Sequence, residues 1–132
     1  MSKLPRVVLL LSTVLLGCPK RVMVNGQEMS VSDADAQARG ELARVLASAG
    51  AEPPEATAGR LEAMAARFGE VPASADALYE AGVRWRAAKR PDRAQAVLGQ
   101  LLTQFPLAPR SDAAKYQLAL AEGEAGRPKD AL

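Results

Sequence analysis

The chain has 132 residues, 48% of them hydrophobic and only 4% aromatic, and it contains 17 basic and 15 acidic side chains. This length accommodates one domain, and the lack of histidine removes the commonest general base and the commonest metal ligand. Abundant alanine with few aromatics favours close-packed helices. Lys3 and Arg6 account for the whole excess of positive charge, and both lie in a segment that we expect to be removed. The net charge therefore does not indicate nucleic-acid binding.

The first residues have the layout of an export signal. Lys3 and Arg6 form a positive start, and residues 7–16 are apolar apart from Ser12 and Thr13. Such a stretch fits the apolar region of a secretory signal and is too short to span a bilayer as a helix. We therefore predict a signal peptide over residues 1–17.

Leu15-Leu16-Gly17-Cys18 follows directly and resembles the lipobox of bacterial lipoproteins. The resemblance implies that Cys18 becomes the acylated N-terminus, a membrane attachment through lipid. An ordinary signal peptide or an N-terminal anchor with an incidental cysteine is the alternative. Pro19 stands where the inner-membrane retention signal would place aspartate, which implies an outer-membrane lipoprotein that faces the periplasm rather than an inner-membrane one.

Residues 18–31 connect this anchor to the rest of the chain. Asn25-Gly26 lies between two short apolar-polar stretches, 22–24 and 27–29, and this dipeptide supplies the two positive-φ positions of a tight hairpin turn. The segment is predicted to be either a small hairpin or a flexible tether that contains a turn.

An internal repeat covers most of residues 32–132. Tyr79 and Tyr116 are 37 residues apart, as are Ser74 and Ser111. A fixed period of this size indicates stacked supersecondary units, each of which buries its apolar face against its neighbours. The units are 37–73, which is degenerate, 74–110, which is the clearest, and 111–132, which is incomplete.

The middle unit predicts a pair of helices. We expect Ser74 to be the N-cap of the first helix, and this helix to end at Lys89-Arg90. The second helix is expected to begin at Pro91 and to stop at Pro106. Apolar residues recur at helical spacing on both helices: Leu78, Ala81, Gly82 and Trp85, then Ala94, Val97, Leu98, Leu101, Leu102 and Phe105.

The flanking units repeat this pattern less clearly. In the first, Ser32 is placed as a cap, and two apolar stripes follow: Leu42, Val45, Leu46 and Ala49, then Leu61, Met64, Ala65 and Phe68. In the third, Ser111 is placed as a cap and Pro128 begins a second helix of which Ala131 is part. Because the sequence contains only the beginning of that helix, we expect the parent chain to carry further repeats or another domain beyond Leu132.

The middle unit resembles a tetratricopeptide repeat. Gly82 and Ala94 match its small close-approach residues, Trp85 its large first-helix residue and Pro106 its closing proline. The resemblance implies an all-α solenoid of antiparallel helix pairs, similar to the BamD-like and CpoB-like periplasmic repeat proteins. It also implies a groove lined by the first helix of each unit, in which the partner-binding residues would be Asp76, Tyr79, Arg86 and Tyr116. The alternative for the two tyrosines is that they pack between neighbouring helices.

These features predict a lipid-anchored scaffold or adaptor that binds envelope proteins, in outer-membrane assembly or envelope maintenance, without enzyme activity, cofactor or metal. The sequence contains no Gly-rich phosphate loop and no cysteine besides Cys18. The alternative is the leading repeat segment of a larger lipoprotein, such as a penicillin-binding-protein activator, whose working domain lies beyond Leu132. A basic cluster around the turn of the middle unit is either a solvated surface or a contact for anionic lipid or an acidic partner: Arg84, Arg86, Lys89, Arg90 and Arg93.

The anchor prediction is tested by replacing Cys18 with serine. Cys18→Ser should abolish incorporation of an alkyne-tagged fatty acid, because the thiol that accepts the lipid is gone, and unprocessed precursor should accumulate. A variant that is still cleaved normally and still sediments with membranes would show that Cys18 is not the attachment site.

Overall fold

A computed structural model describes residues 20–126, so the predicted signal peptide, Cys18, Pro128 and Ala131 lie outside the described residues. The described part is mostly helical and also contains one two-stranded antiparallel sheet. In chain order the elements are β1 (Arg21–Val24), β2 (Gln27–Ser30), α1 (Val31–Ser48), a 3₁₀ turn (Ala49–Ala51), α2 (Pro54–Phe68), α3 (Pro72–Ala87), α4 (Pro91–Gln104) and α5 (Ser111–Gly126).

The two strands form a hairpin that packs on the helices. Asn25 and Gly26 have φ angles of 51° and 81°, so both occupy the left-handed region that this two-residue turn requires. Val24 pairs with Gln27 next to the turn, and its side chain is buried with the helical core. Burial of Val24 gives the short hairpin the tertiary support that an isolated one lacks.

Successive helices pack on one another: α1 on α2, α2 on α3, α3 on α4 and α4 on α5. The first helices of the units also meet, since α1 contacts α3 and α3 contacts α5. One continuous apolar core runs between them, and its largest fully buried members are Leu61, Met64, Leu78, Leu98 and Leu101. The apolar stripes read from the sequence therefore identify the buried faces of α2, α3 and α4.

The close approach of α3 to α4 depends on Gly82. A β-carbon built on Gly82 would lie 2.5 Å from Cδ2 and 2.6 Å from Cγ of Leu98, far inside van der Waals contact. The Leu98 side chain fills the space that glycine leaves, and Ala94, one turn earlier on α4, is completely buried. Small residues are required here because α3 and α4 pack closely.

The three predicted serine caps are wrong. Ser30, not Ser32, caps α1, because its Oγ accepts a hydrogen bond from the Asp33 N–H at 3.0 Å. Ser74 lies inside the first turn of α3, which begins at Pro72 after Val71. Proline at the first helical position sets this start, since its fixed φ suits the helix and it has no N–H to satisfy.

Ser111 is likewise the first residue of α5 rather than the residue before it. Its backbone N–H donates to the carbonyl of Ala108 at 2.9 Å, which continues a turn formed in the 105–110 connection. The connection itself, and not a serine side chain, leads the chain into α5.

The Gly82 contact gives a stability prediction with an internal control. Gly82→Ala should lower the free energy of unfolding by about 1–3 kcal/mol, because the new β-carbon overlaps Leu98. Gly99→Ala in α4 should raise it by up to about 1 kcal/mol, because a β-carbon there meets nothing within 4 Å and alanine favours the helix. Chemical denaturation of both variants measures the two effects, and equal changes would contradict the close packing of α3 on α4.

Candidate functional site

The candidate site is the surface where α1, α3 and α5 lie side by side, which we call the first-helix face. Asp76, Tyr79 and Arg86 lie along α3, and Tyr116 lies on α5. Arg39 belongs to the same face on α1, where it reaches Asp76. The structure thus brings the four predicted partner-binding residues onto neighbouring helices, and it also shows what each of them contacts.

Asp76 is the acceptor for two arginines. Arg39 Nη1 lies 3.1 Å from Asp76 Oδ2, and Arg110 Nε lies 3.5 Å from Oδ1. Arg39 also donates through Nε to Asp35 Oδ2 at 2.9 Å. These hydrogen bonds, first to Asp35 and then to Asp76, raise the pKa of Arg39 above its ordinary value. Asp76 therefore joins α1, α3 and the α4–α5 connection instead of standing as an unpaired carboxylate.

Asp35 provides the cap that Ser74 was predicted to provide. Its Oδ1 accepts a hydrogen bond of 2.7 Å from the backbone N–H of Ala73, in the first turn of α3. A carboxylate at this place satisfies an N–H group that has no partner within the helix and interacts favourably with the helix dipole. Ser74, by contrast, is 1% exposed and its hydroxyl has no hydrogen-bond partner among the described residues.

The two tyrosines differ in exposure. The guanidinium of Arg110 lies over the ring of Tyr79, 4.8 Å from its centroid, and Tyr79 is partly buried against the core. Tyr116 is 64% exposed. Of the predicted pair of aromatic anchors, Tyr116 alone offers most of its ring to a partner.

Arg86 connects α3 to α5. Its Nε lies 2.5 Å from Glu124 Oε1, and its Nη1 donates to Gln117 Oε1 at 2.7 Å. The sequence gave no sign of the contact between Arg86 and Glu124, because two residues from different repeats meet only once the helices are stacked.

The predicted basic cluster is largely neutralised by its neighbours. Arg84 pairs with Glu80 at 2.5 Å, and Arg90 pairs with Asp92 at 3.1 Å. The hydrogen bonds from Arg90 hold the pKa of the Asp92 carboxyl below its ordinary value. These pairs reduce the positive charge that the cluster offers to a lipid headgroup or an acidic protein.

Arg93, another member of the cluster, stacks on an aromatic ring. Its guanidinium lies 4.6 Å from the centroid of the Trp85 ring and 3.9 Å from Glu62 Oε2. The Trp85 indole N–H donates to the same Glu62 oxygen at 2.6 Å. The three side chains come from α2, α3 and α4, so their contacts join three helices.

A cleft of about 460 Å³ opens at one end of the first-helix face, where α3 begins and the 105–110 connection passes. Its walls are mainly apolar, and polar groups stand at its rim: the lining residues are Arg39, Glu70, Pro72, Ala75, Asp76, Gln104, Phe105, Pro106, Leu107, Ala108 and Pro109. From the sequence, Pro106 was expected only to end a helix and close a repeat. The cleft was not foreseen, because its two walls lie far apart along the chain.

No protein-family model, curated protein or solved structure matches this chain. Among residues 20–126, no helix has the length and apolar character needed to cross a membrane. The same residues contain no cluster of His, Cys, Asp and Glu side chains that could hold a metal ion.

The capping arrangement gives a second stability test. Asp35→Ala should lower the free energy of unfolding by about 0.5–2 kcal/mol, because the α3 terminus loses its acceptor. Ser74→Ala should leave stability unchanged or raise it slightly, because it removes a buried hydroxyl that has no partner. Thermal unfolding followed by circular dichroism compares the two, and a larger loss for Ser74→Ala would mean that serine is the cap after all.

Proposed function

We propose that the chain is a lipid-anchored scaffold of the bacterial envelope, with tetratricopeptide-type helix pairs that present the first-helix face to a partner protein. Its site of action is the periplasmic side of the outer membrane, where Cys18 carries the anchor. The proposal assigns no chemistry to the face, only recognition of an envelope protein.

The packing of the middle unit supports the repeat interpretation. Gly82 and Ala94 occupy the close-approach positions of α3 and α4, and Trp85 is buried one turn after Gly82. Equivalent first helices are joined by ion pairs between residues 37 and 38 positions apart, namely Arg39 with Asp76 and Arg86 with Glu124. Contacts at one repeat length are expected when identical units stack on their nearest neighbours.

The exposure of Tyr116 carries the binding proposal. Tyr116 is 64% exposed on α5, so its side chain is available to an incoming protein. Tyrosine offers a large apolar area and a hydroxyl at small entropic cost, and it is enriched among the residues that dominate interface energies. The ion pairs hold α1, α3 and α5 in fixed positions, which lowers the ordering cost of binding.

A photo-crosslinking amino acid at position 116 tests this proposal in cells that export the chain. The same group at Met23 is the control, because Met23 is similarly exposed, at 61%, but belongs to the hairpin and not to α1, α3 or α5. We expect a discrete protein adduct from position 116 and none from position 23. Mass spectrometry of the adduct identifies the partner.

Affinity for the purified partner then measures the contribution of Tyr116. Tyr116→Ala should raise the dissociation constant about tenfold or more, the effect of losing an interface anchor, whereas Met23→Ala should leave it unchanged. Identical affinities for the wild type and Tyr116→Ala, or equal adducts from both positions, would contradict binding through this face.

A further inference from the structure

The described chain begins beside the cleft. Lys20 Nζ lies 3.8 Å from Glu70 Oε2, and Glu70 is part of the cleft rim. The backbone also holds Lys20 in place, since its carbonyl oxygen accepts a hydrogen bond from the N–H of Val31 at 3.2 Å. The start of the described chain thus lies near the cleft, although the ion pair is largely exposed and holds it only weakly.

Cys18 precedes Lys20 by two residues. Two residues of extended chain span at most about 7 Å. A lipid on Cys18 would therefore hold Lys20, and with it the surface around Glu70, within reach of the bilayer.

That surface has an apolar character suited to lipid. Leu107 is 95% exposed at the wall of the cleft, and Phe105, Pro106 and Pro109 line the cleft beside it. A large apolar side chain that is almost fully exposed next to an apolar cleft is unfavourable in water and favourable against acyl chains.

The opposite end of α3 is a poor membrane contact. With 16 residues, α3 is about 24 Å long, so the turn that contains Lys89 lies far from the cleft. The arginines around that turn are paired with Glu80, Asp92 and Glu62. The basic cluster that the sequence offered as a lipid contact is therefore remote from the anchor and mostly neutralised.

We propose that the end of the molecule that carries the cleft and Leu107 is its membrane-facing surface, with Leu107 and the apolar cleft wall against the acyl region of the bilayer that holds the Cys18 lipid. This inference rests on the lipid anchor of the proposed function, but not on the partner-binding role of the first-helix face. The occupant of the cleft is the membrane lipid, and the helices extend from the bilayer towards the Lys89 turn.

The test uses the full lipoprotein, purified from membranes and reconstituted into vesicles of phosphatidylethanolamine and phosphatidylglycerol. Cys18 is the only cysteine of the sequence and its thiol is consumed by the lipid, so Leu107→Cys introduces a unique labelling site. Lys89→Cys is the matched control at the opposite end of α3. An environment-sensitive fluorophore on each is exposed to lipids with brominated acyl chains, which quench only probes that reach the bilayer.

We expect the probe at position 107 to shift to shorter wavelength on reconstitution and to lose at least half of its intensity to brominated lipid, while the probe at position 89 shows neither effect. Strong quenching at position 89 would mean that the Lys89 end faces the membrane with the basic cluster as the lipid contact, and it would overturn the proposed orientation. An unquenched probe at position 107 on a lipidated chain would overturn the orientation and leave the cleft to a protein partner.

The intact mass of the same preparation shows whether the chain carries a lipid, which distinguishes a missing anchor from a wrong orientation. A chain without lipid would overturn this inference together with the anchor, and the vesicles would then show no bound protein. Neither result bears on the proposed binding role of Tyr116, because crosslinking from position 116 depends on the first-helix face and not on the orientation of the cleft.

Discussion

The structure depends first on the contact between Gly82 and Leu98. Because Gly82 has no side chain, the Leu98 side chain takes the volume beside α3, and α3 and α4 approach more closely than two β-carbons would allow. This approach places Trp85 between Glu62 and Arg93 and so adds α2 to the same assembly. A steric property of one glycine thereby positions three helices.

The ion pairs on the first-helix face have a different role. Each of them is partly exposed to water, so each alone contributes little to stability. Their value is geometric, because Asp76 and Arg86 connect α3 to its neighbours on either side and fix the spacing of the surface that a partner would meet. Two residues that the sequence suggested as partner anchors thus make contacts within the molecule, and our proposal assigns recognition to the more exposed Tyr116.

Much of the helical core could be predicted from the sequence, because apolar spacing and proline positions depend on local chemistry. Leu61, Leu78 and Leu98 are buried as their spacing requires, and Pro91 begins α4. The predicted cap of α3 failed for a physical reason: the acceptor at the start of α3 is Asp35, a residue of another helix, and local sequence cannot reveal a partner 38 positions away. The cleft, formed by the start of α3 and a distant connection, was missed for the same reason.

The arrangement of the anchor and the first-helix face has a consequence for the partner. The helix α5 begins directly after the cleft wall, and Tyr116 is five residues from its first residue, Ser111, which corresponds to about 7.5 Å along the axis. The exposed tyrosine therefore lies near the end that we assign to the membrane, whereas the Lys89 turn projects away from it. A partner that reaches Tyr116 has to approach the bilayer closely, which favours a protein that is itself attached to the membrane or inserted in it over one that diffuses freely.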